Sequence, residues 1–356
     1  MQISTQKIKK QGIQENLLYT GHAQSVDVNI TLITYNEQCY QRTKNVDLAK
    51  MASISEMPGV KWLNIDGVHD VDVIESIGMQ FGIHFLVLED IMDVNQRPKI
   101  ENYDNYIYLT LKMMYIDKTE EKIISEQISM VLFKDILITF QERSGDIFDT
   151  IRNKIMTNKG KIRKLGSDYL AYSLIDAIVD HYSIIMEDIG EEISGIEKEI
   201  LKNPSSEILE DIYNLKMDII FMRKTMLPIR ELITNMRKEE SELINDYLEP
   251  YARDLYDHIV QVLDNLKSAS DTITGILDIY SSSISNQTNK VMQRLTLITT
   301  IFMPLSVLAG IGGMSEWSMM TGPGNWRISY PLFFLGLIVI GFITWLILRK
   351  VNKRKR

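Results

Sequence analysis

Counted every seven residues, the chain reads Asp257, Asp264, Asp271, Asp278, Ser285, Met292, Thr299, Ser306 and Gly313. A neighbouring series reads Asp254, Gln261, Ser268, Gly275, Ser282, Asn289, Thr296, Met303 and Gly310. Both are polar or small, with Met292 and Met303 the only apolar members. The opposite side of the same helix (Ile259, Leu266, Ile273, Tyr280 and Val262, Ala269, Ile276) is mostly apolar. A sustained seven-residue period implies a helix held in one rotational setting against its neighbours. Repeated around a symmetry axis, Asp278 makes an acidic ring and Asn289 and Thr299 make neutral polar rings. Met292 and Met303 then make apolar constrictions that gate by dewetting. The chemistry this suits is cation passage. No carboxylate lies inside the uncharged run that follows Arg294, so an ion that keeps its waters fits better than a bare one. Mg2+ dehydrates reluctantly. Zinc or nickel would recruit His or Cys ligands, and this helix offers only His258.

The elements that must position such a stripe are legible. Between Arg294 and Glu316 lie 21 uncharged residues, "LTLITTIFMPLSVLAGIGGMS", and between Arg327 and Arg349 another 21, "ISYPLFFLGLIVIGFITWLIL". A helix needs about 20 apolar residues to cross the hydrocarbon core, so both read as transmembrane helices. Lys290 and Arg294 precede the first, and six basic residues from Arg349 onward follow the second. The positive-inside rule places both termini in the cytoplasm and the link "EWSMMTGPGNWR" outside. Outside the hydrocarbon, a polar stripe is the ordinary solvated face of a helix. Inside it, Ser and Thr can bond back to their own helix carbonyls, or small residues can let helices pack closely. The functional alternative is a pore. Two membrane helices cannot enclose one, so a pore demands a cyclic oligomer.

The remainder reads as a mixed α and β domain followed by long helices. "SVDVNITLITY", "VKWLNID" and "YIYLTLKMMYI" predict strands, and "QISMVLFKDILITFQE" predicts a hairpin around Lys134 and Asp135. "HDVDVIESIGMQFGI" and "HFLVLEDIM" predict short helices. Apolar spacing of three and four runs through "SDYLAYSLIDAIVDHYSIIMEDIGEEISGIEKEILK", and Pro204 separates it from a second long helix. A third starts near Glu249 and Pro250; run to Gly312 it would span about 95 to 100 Å. The expected segments are 1–145, 146–247, 248–315 (stalk and pore helix), 316–327 (external loop), 328–348 (second membrane helix) and 349–356 (basic tail).

Composition narrows the function. The 356 residues carry a net charge of −8, which argues against general nucleic-acid binding. The single cysteine, Cys39, excludes an intrachain disulfide and reads as a buried thiol. The start has no apolar core and reads as no signal peptide. There is no phosphate-binding glycine loop, no His-Glu-x-x-His and no nucleophile elbow, so an enzyme is not expected. His22, His69, His84, His181 and His258 are scattered and read as structural.

The stretch "SNQTNKVMQRLTLITTIFMPLSVLAGIGGM" resembles the first membrane helix of the CorA family of magnesium channels, and "FGIHFLVLEDIMDVNQRPKIENYDNYIYLTLKMM", "DYLAYSLIDAIVDHY" and "ARDLYDHIVQ" extend the resemblance. It implies a funnel-shaped homopentamer in which each protomer has an αβα cytoplasmic domain, long stalk helices, a pore-lining first membrane helix and an outer second one. It implies regulatory divalent-cation sites between neighbouring cytoplasmic domains at Asp90 and Asp254, with Glu89 and Asp176 forming a second, weaker one. The ordinary reading of each is a surface or capping carboxylate. The pore set becomes Asp278, Asn289, Met292, Leu295, Thr299, Met303, Ser306, Gly310, Gly313, Met314, Ser315 and Glu316. The basic tail would girdle the cytoplasmic mouth.

The family's Gly-Met-Asn signature is altered. An aromatic normally precedes it, where this chain has Gly312, and Ser315 stands in place of the asparagine. A serine ring is wider and offers one hydroxyl, and Glu316 could supply a charged ring instead. The implied function is Mg2+ influx, with Co2+ as an alternative cargo, closed by cytoplasmic Mg2+. The competing readings are a transporter of Zn2+, Ni2+ or Co2+, and a membrane-anchored cation sensor that does not conduct.

Overall fold

The computed structural model describes residues 17–21, 28–47, 54–117, 122–202, 204–238, 241–312, 322 and 324–354. Its contacts divide the chain into two compact units, Met1–Glu197 with Glu210–Thr274 and Lys198–Leu209 with Gly275–Arg356.

The first unit is built on a seven-stranded sheet. Its strands are β1 (Asn29–Tyr35), β2 (Tyr40–Lys44), β3 (Val60–Asp66), β4 (Lys99–Asn102), β5 (Ile107–Asp117), β6 (Lys122–Leu132) and β7 (Ile136–Gln141), in the order β2-β1-β3-β7-β6-β5-β4. Only the β3–β7 pairing is parallel among the recorded pairs; β6 and β7 form the predicted hairpin. The two edge strands, β2 and β4, carry few apolar residues and were not expected from the pattern.

Helices α1 (Val71–Phe81) and α2 (Phe85–Met92) cover one face of the sheet. Ile74 and Ile77 of α1, with Val87, Leu88 and Ile91 of α2, share a core with Leu63, Ile65, Val131, Ile138 and Phe140. Asp70 caps α1, accepting from the N–H groups of Asp72 and Val73, and Gly82 ends it in the left-handed region at φ 67°. His84 then caps α2 through Nδ1. The whole turn from Ile83 to His84 is therefore used to aim α2, which carries Glu89 and Asp90. On the other face Trp62 is fully buried, its ring edge-to-face with Phe148 at a centroid separation of 6.2 Å and its Nε1 donating to Thr139.

Helix α3 (Asp149–Met156) follows the sheet, and α4 (Ser167–Lys202), α5 (Ser206–Lys238) and α6 (Glu249–Gly312) come after it. The predicted helix over "SDYLAY…ILK" matches α4, whereas α3 was not separated from it. Asp168, 1 % exposed, fixes the start of α4 to the turn before α6 by accepting from Asn245 and Tyr247. The expected apolar side of α6 is buried at Ile259, Val262, Leu266, Ala269, Ile273 and Ile276.

Cys39 is exposed rather than buried, which corrects the reading from composition. It closes the β1–β2 turn, where its N–H donates to Asn36 Oδ1 at 2.7 Å, so its position is set by turn geometry and not by thiol packing. His22 lies outside the described residues.

The second unit contains the C-terminal part of α6 and α7 (Trp326–Arg354). Both α6 and α7 are long and apolar enough to cross a membrane.

Gly78 permits the close approach of α1 to α2: a Cβ there would lie 2.3 Å from Leu88 Cδ1. Gly78→Val is expected to lower stability by about 1–3 kcal/mol through overpacking, measured as a fall in Tm, whereas Gly82→Asn, at an open left-handed position, is expected to change it little.

Candidate functional site

Three of the four predicted regulatory acids have defined neighbours. Asp90, on α2, is partly buried and bonds Lys99 Nζ at 2.6 Å. The same ammonium holds Glu101 at 2.8 Å. Burial works against the Lys99 charge, but the two carboxylates outweigh it and hold its pKa above the ordinary lysine value. Asp90 is thus a carboxylate with a counter-ion already supplied by the chain. Its backbone carbonyl accepts from Gln127 Nε2 at 2.9 Å. Glu89 is exposed beside it.

Asp176 and Asp254 meet a second grouping, between α4 and α6. His258 lies 3.9 Å from Asp176 through Nδ1 and 3.9 Å from Asp254 through Nε2. Ligand atoms of Asp176, Asp180 and His258 all lie within 4.8 Å of one another. Asp176 Oδ1 is buried without a hydrogen-bond partner. Burial, reinforced by Asp180 and Asp254 and opposed by His258 and Lys154, raises the Asp176 pKa to about 6. Burial and then the same acids push the Tyr172 phenol up as well.

The arrangement brings Asp176 and Asp254 together around His258. It leaves Asp90 with Lys99: among the described residues, Asp90 and Asp254 share no hydrogen bond or ion pair. Asp180 and His258 were not selected from the sequence. Each stands one helical turn from a residue that was, at i+4 from Asp176 and i+4 from Asp254, and that spacing was the available signal.

In the second unit the predicted pore residues Asp278, Asn289, Met292, Leu295, Thr299, Met303, Ser306 and Gly310 are all exposed on α6. Leu297, Ile301, Leu305 and Leu308 are partly covered, on the opposite side of the helix at 100° per residue. Leu305 approaches Gly341 of α7, where an added Cβ would lie 3.2 Å from Leu305 Cδ1. Thr296, Thr299 and Thr300 donate their hydroxyl protons to the carbonyls of Met292, Leu295 and Thr296 at 2.8, 2.9 and 2.7 Å. The donor is spent within the helix, and the outward lone pairs can only accept. Gly313, Met314, Ser315 and Glu316 lie outside the described residues.

Residues 58–350 match the family model described as "CorA-like Mg2+ transporter protein". The chain belongs to the CorA family. It is 40 % identical over 339 residues to the cobalt/magnesium transport protein CorA of Thermotoga maritima, covering 95 % of each chain. It is 19 % identical to the zinc transport protein ZntB of Yersinia enterocolitica, covering 80 % of this chain and 86 % of that one. The fold of the complete CorA magnesium transporter of Methanocaldococcus jannaschii superposes with a TM-score of 0.69 at 16 % identity, over 94 % of this chain and 99 % of that one. These CorA-family relatives are transport proteins, not enzymes.

The α6–α7 contact is open to a direct test. Gly341→Leu is expected to push α7 off Leu305 and lower the melting temperature of the detergent-solubilised protein by several degrees, on the scale of about 1–3 kcal/mol for overpacking. Gly336→Leu, with nothing within 4 Å, is expected to leave it unchanged.

Proposed function

We propose that this protein is a homopentameric channel in a cell membrane, with both termini in the cytoplasm. It carries Mg2+ inward, with Co2+ as an alternative cargo, and closes when cytoplasmic Mg2+ occupies acids between neighbouring cytoplasmic domains. The observation that carries this reading is that one unbroken helix, α6, bears both Asp254 and the exposed series Asn289, Met292, Leu295, Thr299, Met303, Ser306 and Gly310. Family membership supports the transport class, and the name of the Thermotoga relative supports the choice of ions.

The threonine geometry supports a hydrated cargo. Water bound to a divalent cation presents its protons outward, so threonines that only accept hydrogen bonds match its outer surface. An anion presents acceptors and finds no donor in Thr296 or Thr299. Mg2+ holds its water shell tightly, so the fit falls to it first. Ser315 and Glu316 then occupy the outer filter position. Asp90 and Asp254 supply the hard oxygen ligands that Mg2+ prefers, and Glu89 with Asp176 forms a second, weaker site. Occupancy joins two carboxylates that otherwise repel, and loss of the ion loosens the closed arrangement.

A second reading has its own observation. The imidazole of His258 beside Asp176 and Asp180 is a donor set that favours Co2+, Ni2+ or Zn2+ over Mg2+. It supports a cytoplasmic site that answers to a transition metal, and the zinc-transporting relative belongs with it.

Flux of Mg2+, Co2+ and Zn2+ into proteoliposomes, measured for the parent and Ser315→Asn, separates the readings. Mg2+ conduction that rises in the asparagine form is expected; Zn2+ conduction without Mg2+ would install the second reading, and no conduction of any ion would leave a sensor. Asp254→Ala is expected to raise the Mg2+ concentration for half-closure by about tenfold or more, on the scale of disrupted metal sites. His258→Ala is expected to weaken closure by Co2+ while leaving closure by Mg2+ nearly unchanged, read in the same assay.

A further inference from the structure

A cavity of about 520 Å3 in the first unit is walled by Lys112 and Tyr115 of β5, Glu126 of β6, Glu142 and Arg143 after β7, and Phe221 of α5. Glu126 is 3 % exposed, an uncommon place for a carboxylate. Its Oε1 accepts from the Arg143 N–H at 2.8 Å and its Oε2 from the Tyr115 hydroxyl at 3.2 Å. Glu142 faces the same space, and its Oε1 accepts from the Gln127 N–H at 3.1 Å.

Gln127, 2 % exposed, joins this cavity to the acids of α2. Its Nε2 donates to the Asp90 carbonyl at 2.9 Å. Its Oε1 accepts from the Gln96 N–H at 3.1 Å and from Lys112 Nζ at 3.2 Å. Lys112 also donates to the Val94 carbonyl, just past α2, and its own carbonyl accepts from the Tyr182 hydroxyl of α4. One hydrogen-bonded frame therefore runs from the two glutamates to the backbone of Asp90.

We propose that Glu126 is a proton-binding site through which cytoplasmic pH sets how firmly a cation on the acids of α2 holds the channel closed. The proposal rests on the reading that those acids sense the cation. When Glu126 is neutral, Glu142 is the one carboxylate in the cavity free to hold Gln127. When Glu126 is charged, two carboxylates share one low-dielectric space, and repulsion falls on Glu142 and through it on Gln127. The frame that supports Asp90 loosens, and more Mg2+ is needed for closure.

The charges around Glu126 are consistent with titration near neutrality. Burial raises its pKa most, and Glu142 raises it further. The Arg143 N–H, the Tyr115 hydroxyl and the Arg143 charge oppose them, leaving it at about 7. On β5, burial lowers the Lys112 pKa against the pull of Glu142 and of Asp93 at the end of α2. From α5 the cavity lining is Phe221, while Asp218 of that helix is acted on by Lys122 of β6. The sign follows from linkage. A carboxyl whose folded pKa lies above its unfolded value of about 4.5 contributes stability that is full below that value. The contribution is lost as pH rises through about 7.

The test uses the full chain in proteoliposomes, with Mg2+ inhibition titrated from the cytoplasmic side at about pH 6.5 and about pH 8.0, which bracket the carboxyl. The parent is expected to need about fivefold more Mg2+ for half-closure at the higher pH, the lower end of usual coupling between sites. Glu126→Gln, neutral and of the same shape, is expected to abolish the shift, and Glu142→Gln to shrink it by removing the repelled partner. Melting curves over the same pH range are expected to fall in the parent and to fall less steeply in Glu126→Gln, which reports the proton site without any cation. A shift that persists in Glu126→Gln, or a parent whose inhibition ignores pH, overturns the proposal. A parent that Mg2+ does not inhibit at either pH overturns the sensing reading and the coupling together.

Discussion

Hydrocarbon contains no water, and every polar group that a helix carries into it must find a partner in the protein or in water the protein encloses. That constraint governs how α6 can be read. Its threonine protons are satisfied by its own carbonyls, but the matching lone pairs are not, and they lie on the exposed side of the helix. Pro304 adds to the imbalance, because it has no N–H to offer the carbonyl four residues earlier, that of Thr300. At Thr296, Thr299 and Pro304 the unmet groups are therefore acceptors. Lipid cannot supply donors to meet them. Water ordered by a cation can, which is why a surface that looks like ordinary back-bonded threonine still argues for an enclosed aqueous path.

Outside the membrane the same economy appears as charge. Asp168 is buried and has its donors in full, from Asn245, Tyr247 and the N–H of Tyr169. It behaves as a structural acid. Asp176 does not: one oxygen is buried without a hydrogen bond, two more acids stand near it, and its pKa rises accordingly. A carboxylate held in that condition is stable only if something positive shares the site. The imidazole of His258 stands beside it, at a distance longer than a hydrogen bond. The contrast between Asp168 and Asp176, on one helix and eight residues apart, separates an acid that holds the fold from one left able to bind.

Sequence alone displayed the long-period features well. The buried stripe of α6 and its polar opposite were visible because a seven-residue period persists over many turns, and the β6–β7 hairpin because alternation brackets Lys134 and Asp135. Helices α1 and α2 were readable from their apolar spacing, whereas their caps, Asp70 and His84, emerged only with the structure. What escaped was non-periodic or depended on packing. Strand β2, "YQRTK", is an edge strand with four of five residues exposed, so it has no apolar pattern to detect. Cys39 was misplaced because a thiol's average burial says nothing of a turn that needs its N–H. Asp180 and His258 lie on two helices far apart in sequence, and only the α4–α6 contact makes them neighbours. Glu126 lies one residue before the predicted hairpin, in the part of β6 that the pattern did not reach, and nothing in "SEQIS" tells that the glutamate faces inward.

The two acid groupings differ in what a cation must displace, and the difference sets how each would respond. At Asp90 the counter-charge is Lys99, a compact ammonium at 2.6 Å that Glu101 also holds. A divalent ion arriving there does not neutralise a bare carboxylate. It exchanges with the ammonium, which must swing toward Glu101 or solvent, so the net gain is smaller than Coulomb attraction to Asp90 alone would suggest. A divalent cation bound there would be held weakly and reversibly, which suits the proposed role as a sensor of an abundant ion. At Asp176 the ion meets an oxygen with no partner to lose, and an imidazole that can turn from neighbour to ligand. That site has less to displace and a softer donor, so it would hold a scarcer transition metal more tightly. A protein that must respond to both an abundant hard ion and a scarce softer one would need this asymmetry, and here it follows from a single lysine being present at one site and a single histidine at the other.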